Sequence, residues 1–170
     1  LQIYLYNIPP VSKVGFSLPL IERLIKAYPK TIVGMKDSSG DWAYTESVIK
    51  AFASTGFRMY AGSESFLLRT LRAGGAGCIS ATTNVNPGPI AALAANWQAA
   101  DADARQAALD VVRGIFQSRP MIPAMKAAIA HFSGDAQWAE VRPPLVKLDA
   151  AKTADLIAAM KAANFEITGL

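Results

Sequence analysis

The residue best placed for covalent chemistry is Lys36, which closes the short apolar run Ile32-Val33-Gly34-Met35 and is followed by Asp37-Ser38-Ser39-Gly40. An apolar strand delivers its last side chain to a low-dielectric interior, where a lysine loses ammonium hydration and the free amine is favoured. A free amine attacks a ketone, and the resulting iminium withdraws electrons from a neighbouring carbanion. The ordinary alternative is a surface lysine paired with Asp37, and position alone favours that alternative. Tyr6 closes an earlier run at Tyr6-Asn7-Ile8-Pro9, one strand-helix unit upstream. A phenol at the same mouth could carry the protons of carbinolamine dehydration and C–C bond exchange. Taken alone, such a tyrosine is more often a packing residue.

Two further segments carry polar groups after apolar runs: Gly62-Ser63-Glu64-Ser65 and Gly77-Cys78-Ile79-Ser80-Ala81-Thr82-Thr83-Asn84. Glycine permits close backbone approach to a ligand, and the hydroxyls and carboxylate suit substrate oxygens, although Gly and Ser after a strand usually mean only a turn. One histidine and one cysteine cannot build a usual zinc site, and the carboxylates lack calcium-loop spacing. His131 lies in an apolar helical stretch and reads as structural. Cys78 lies among Ala76, Gly77 and Ile79 and reads as a buried, inert thiol. Phosphate-cradling glycine loops do not occur.

These residues need strands to present them. Leu1 to Ile8 is β-branched and aromatic and stops at Pro9-Pro10, which lack amide donors. Ser17-Leu18-Pro19-Leu20 offers a cap and an early proline, and Leu20, Ile21, Leu24, Ile25 and Tyr28 form one helical face. Thr31 to Met35 reads as a strand buried on both faces. Ala43–Phe52 follows as a helix, Arg58–Ala61 as a strand, Glu64–Ala73 as a helix stopped by Gly74-Gly75, and Gly77–Ala81 as a fourth strand. Strand and helix thus alternate about every 25 residues, which demands parallel strands joined by crossovers. From Pro89 the chain is alanine-rich and helical, over Ala91–Ala100, Ala102–Ser118, Ile122–Phe132 and Ala154–Ala163. Four β/α units make half of an eight-stranded ring, and an open doubly wound sheet is the alternative on pattern alone.

Composition narrows the class. Apolar residues make up 52% of the 170 residues and charged residues 18%, which excludes a disordered or highly charged chain. The net charge of +4 comes from scattered Lys and Arg without a basic block, which argues against nucleic-acid binding. No apolar stretch is long enough to span a bilayer and no signal-peptide pattern opens the chain, so a soluble, cytoplasmic protein is expected.

The ordered set Tyr6-Asn7-Ile8-Pro9, Ile32 to Gly40, Gly62-Ser63-Glu64-Ser65 and Gly77-Cys78-Ile79-Ser80 closely resembles the dihydrodipicolinate synthase/N-acetylneuraminate lyase family, and Val141-Arg142-Pro143-Pro144-Leu145 is similar to its late segment. The resemblance implies an α/β chain forming the C-terminal half of a TIM (β/α)8 barrel followed by a C-terminal helical extension. Residues 1–88 would be the β/α units, and residues 89–170 the final barrel helix and helical region. It implies a class I aldolase or lyase in which Lys36 forms a Schiff base with pyruvate or another 2-oxo acid and Tyr6 moves protons. By the same carry-over, Ile79 lines the pyruvate pocket and Gly62, Glu64 and Ser65 meet the second substrate, an aldehyde. No external cofactor or metal is implied, and homo-oligomers, often tetramers, are.

Two departures qualify the resemblance. The family's early strands are absent, with the Thr-Thr segment expected to hold the pyruvate carboxylate and a second tyrosine of the proton relay. A chain without them is expected to catalyse poorly on its own, and a non-catalytic half-barrel or 2-oxo-acid-binding module is the rival reading. The loop Pro9 to Gly15 offers Lys13 where true synthases carry an arginine for the aldehyde's carboxylate. Lysine keeps the charge and loses the bidentate fork, which favours a lyase or aldolase over a dihydrodipicolinate synthase proper.

Overall fold

The computed structural model describes residues 1–167. Four strands, β1 (Ile3–Asn7), β2 (Ile32–Asp37), β3 (Arg58–Ala61) and β4 (Gly77–Cys78), form one parallel sheet in chain order. The segments between them supply α1 (Pro9–Ser12), α2 (Leu18–Ala27), α3 (Trp42–Phe52) and α4 (Leu67–Arg72). Four further helices follow: α5 (Pro87–Ala95), α6 (Ala102–Gln117), α7 (Met121–Ser133) and α8 (Ala150–Ala162). No helix among the described residues is long and apolar enough to cross a membrane.

Caps set several of these boundaries. The Ser17 hydroxyl accepts the Leu20 amide, with Pro19 in the first turn of α2, and Asp41 and Asp149 accept the Ala43 and Lys152 amides at the starts of α3 and α8. The first strand ends one residue earlier than expected because Pro9-Pro10 opens a short helix instead of an exit loop. The expected helix from Glu64 begins as a 3-10 turn over Glu64–Phe66, and the fourth strand keeps only two residues because Ala81–Asn84 turns immediately.

Leu5, Met35 and Met59 are cross-strand partners on one face of the sheet. They pack with Ile21 of α2 and with Val48 and Ile49 of α3. Cys78 continues that face and joins Leu67, Leu68, Leu93 and Leu109, so α4, α5 and α6 share a second core. Ile115, Phe116, Met125, Leu156 and Met160 make a third between α6, α7 and α8. Residues on both sides of position 88 thus share this second core. Chain-order strands with helices packed on one face are the wall of a barrel; a doubly wound sheet reverses strand order and covers both faces.

Candidate active site

Parallel register decides which side chains meet. Tyr6, Lys36 and Tyr60 are direct partners across β1, β2 and β3, so they project on the same face, opposite the helices. The Lys36 ammonium lies 3.2 Å from Tyr6 Oη and 4.3 Å from the centre of its ring. The Ser38 hydroxyl, and after it Lys36, hold the Tyr6 phenol below its ordinary value against the opposing effect of burial. Behind the sheet, Asn7 and Asp37 are the next partners, and Asn7 Nδ2 donates to Asp37 Oδ1 at 2.8 Å. The Asp37 carboxylate also accepts from the Ser39 amide and hydroxyl and from the Thr45 hydroxyl of α3. The ion pair between Lys36 and Asp37 is not made, because successive residues of a strand face opposite sides.

The strand exits are held together by backbone bonds. Ser38 N donates to Asn7 O at 2.7 Å, Gly62 N to Asp37 O at 2.6 Å, and Ile79 N to Ala61 O at 2.8 Å. Gly62 is required here because a Cβ would sit 2.6 Å from Asp37 O and collide with the Ser38 side chain. The cavity so formed has a volume of about 440 Å³, and Tyr6, Lys36, Ser38, Ser63, Ser65 and Arg113 contribute to its walls.

The other expected residues divide. Gly62 and Ser65 line the cavity with Lys36. Glu64 does not face it: the residue is fully buried, and its carboxylate accepts from the Ser80 and Thr82 hydroxyls and, at 3.2 Å, from Arg113 Nη1. A buried carboxylate needs such partners, so in this structure Glu64 braces the cavity wall and offers no group to a ligand. Ile79 stands exposed beyond β4 and is not among the residues lining the cavity. Lys13 ends α1 in a left-handed conformation, with its ammonium donating to Pro10 O at 2.8 Å. Cys78 is pushed up to about 12 by burial and by the Glu64 carboxylate, in keeping with an unreactive thiol. His131, expected to be structural, is exposed on α7 with its ring against Phe132. Groups of residues able to hold a metal ion do not occur among the described residues.

Arg113 and Gln117 of α6 also line the cavity and were not legible as site residues, since their only mark is one polar pair spaced four apart on an alanine-rich helix.

The model of the dihydrodipicolinate synthetase family matches residues 1–163. The chain belongs to that family. An uncharacterized DapA-like lyase of Chloroflexus aurantiacus is 33% identical over 159 residues, covering 93% of this chain and 52% of the relative. A 4-hydroxy-tetrahydrodipicolinate synthase of Methanoculleus marisnigri is 32% identical over 160 residues, 92% of this chain and 53% of the relative. Among solved structures, dihydrodipicolinate synthase from Agrobacterium tumefaciens superposes with a TM-score of 0.79 at 33% identity, covering 95% of this chain and 53% of that one. YagE, a prophage protein of the dihydrodipicolinic acid synthase family from E. coli K12 solved in complex with pyruvate, gives 0.87 at 27% identity, with 97% and 57% covered. The chain thus spans about half the length of the dihydrodipicolinate synthetase family members it matches, and its four-stranded wall is a partial TIM barrel.

Proposed function

We propose that this chain carries the nucleophile and the proton shuttle of a class I aldolase or lyase of the dihydrodipicolinate synthase/N-acetylneuraminate lyase type. The observation that supports the reading is the 3.2 Å contact of Lys36 Nζ with Tyr6 Oη at the strand exits, on the wall of one cavity. The Lys36 amine attacks the ketone carbon of pyruvate, and Tyr6 donates a proton to the carbinolamine hydroxyl, which leaves as water to give the iminium. Loss of a methyl proton makes an enamine, which adds to the aldehyde carbon while the new alkoxide takes a proton. Water then attacks the product iminium, releasing a longer 2-oxo acid and the free amine. Cleavage runs the same steps in reverse. The lysine carries all the covalent chemistry, so the reading calls for no external cofactor. A homo-oligomer and a cytoplasmic setting belong to the proposal.

Borohydride tests it. Pyruvate with borohydride should reduce the iminium to a stable amine and add a reduced pyruvyl mass to the peptide bearing Lys36. An unmodified Lys36, or equal labelling of Lys36→Met at other lysines, would sink the assignment. A second reading, a module that holds a 2-oxo acid without turning it over, draws on the open front of the site, where Tyr6 is 49% exposed. It predicts the adduct without aldol turnover.

A further inference from the structure

A second cavity, of about 510 Å³, lies where α5 begins, and it shares no lining residue with the cavity that holds Lys36. Helix α6 contributes to both: Arg113 and Gln117 line the first, and Ala108, Leu109 and Val112 line the second. The second cavity has an apolar wall, to which the buried Val85, Leu109 and Phe165 belong, and Phe165 is fixed edge-on against Phe116. Its size is that of an ordinary small-molecule site.

Its polar part centres on Asn86. The residue is 6% exposed, and its side-chain amide has no hydrogen-bond partner among the described residues, not even as the cap of the helix it precedes. A buried amide left without a partner costs free energy that a bound group would recover. That amide still meets accessible space, because Thr70 alone among the described residues has a fully enclosed, unpartnered side-chain polar atom, and the cavity that Asn86 lines is this one. Beside it opens α5, nine residues long, with prolines at 87 and 89, so Gly88 holds the one amide donor among the first three helical positions. The space around Gly88 is open, since a Cβ there would meet nothing within 4 Å. A helix N-terminus carries positive partial charge and draws anions. Arg105 also lines the cavity but is paired with Asp101 at 2.9 Å, and the exposed Glu166 is the one carboxylate among the lining residues. The N–H donors of Asn86 and Gly88, and not net charge, therefore select the head of a ligand. Two such donors at the positive end of a helix, beside an apolar wall, match a carboxylate carried on an apolar body.

We propose that this cavity is a second ligand site, which takes a small monocarboxylate with an apolar body. The carboxylate accepts from Asn86 Nδ2 and from the Gly88 amide, and the body lies against Leu109, Val112 and Phe165. None of these residues acts in the Schiff-base reading, so the site stands or falls apart from it.

The test is an NMR titration of the isotope-labelled full chain with hexanoate, hexanamide and acetate, followed through the Asn86 side-chain amide and the Gly88 backbone amide. Hexanoate should shift both signals to saturation. It should bind about tenfold more tightly than hexanamide, which keeps the body and loses the charge, the equivalent of one charge-assisted contact. Acetate, which keeps the charge and loses the body, should be weaker by at least about the same factor. Asn86→Asp keeps the shape, replaces the donor with a repelling charge and should weaken hexanoate at least about tenfold, read at Gly88. Ala108→Phe adds a ring at an exposed position that lines the cavity, and should abolish hexanoate binding in a folded protein. The inference is overturned by hexanoate that leaves both signals unmoved, by hexanamide or acetate that binds as tightly, or by undiminished hexanoate affinity in folded Ala108→Phe. That last variant decides the matter even where Asn86→Asp does not fold.

Discussion

Lys36 and Asp37 are consecutive in β2 and stand back to back across the sheet, the ammonium 3.2 Å from Tyr6 Oη in front and the carboxylate 2.6 Å from the Thr45 hydroxyl behind. The carboxylate thus fastens β1, β2 and α3 to one another directly beneath the reactive pair. Asp37→Ala strands the buried donors of Asn7 and Thr45 and should cost roughly 3 kcal/mol, seen as a lower urea midpoint. Asp37→Asn retains part of the network and should cost less. An Asp37→Ala protein as stable as the wild type would show that Asp37 is not the fastener.

Tyr6→Phe keeps the ring under the Lys36 ammonium and removes the hydroxyl that carries the protons. Adduct formation with pyruvate should slow by about a hundredfold, the usual scale of one general acid-base group, while the same Lys36 peptide is still labelled after long incubation. Quenching the borohydride reaction at increasing times measures this, and an unchanged rate would assign proton transfer elsewhere.

Gly34 is irreplaceable for a steric reason. Its missing side chain leaves room for the Tyr4 ring, which also packs edge-on against Tyr60, and a Cβ there would fall on that ring and on the Arg58 carbonyl oxygen. Because the carbonyl belongs to a paired strand it cannot retreat. Gly34→Ala should therefore lower stability by roughly 3 kcal/mol, and a Tyr4→Ala partner change should recover only part of it. Paired thermal melts of the single and double variants would check this.

Alkaline pH should destabilise the protein through two groups. Burial, with the Glu64 carboxylate, pushes the Cys78 thiol from an ordinary 9.0 to about 12, and burial, with Asp37, pushes the Tyr44 phenol from 10.0 to about 12. The folded chain then keeps protons that the unfolded chain releases, so stability is fully present below about pH 9 and falls as pH rises toward 12. Cys78→Ala and Tyr44→Phe should each flatten the fall in melting temperature over that range. A decline unchanged in both variants would place its origin in other groups.

The legible part of the site is the part that one strand or one turn encodes. Lys36 and Tyr6 each end an apolar run, and parallel order alone brings such ends to one side. Ser17 and Gly74-Gly75 mark helix boundaries through chemistry confined to a few residues. What stayed hidden depends on distances that no local pattern records. Glu64 reads as a mouth residue from its turn, whereas its carboxylate is held inward by Ser80, Thr82 and Arg113, which lie 16, 18 and 49 positions onward. Likewise Lys36 and Asp37 read as an ion pair until the pleat separates them. The shortness of β4 reflects the 3-10 turn that closes on Thr82, whose hydroxyl is drawn to Glu64.

The sheet's strands lie side by side in the order in which they are made, each bonded to the one before. During synthesis every new strand emerges to find its neighbour already exposed, so no unit has to wait for a later one before it can dock. Tyr6 and Lys36 are accordingly brought together as soon as the second strand leaves the ribosome, whereas the bracing of Arg113 is deferred until nearly fifty residues after Glu64 have followed. The two halves of the cavity wall thus have different birth dates, and nascent chains arrested between them should hold the reactive pair while lacking its helical wall.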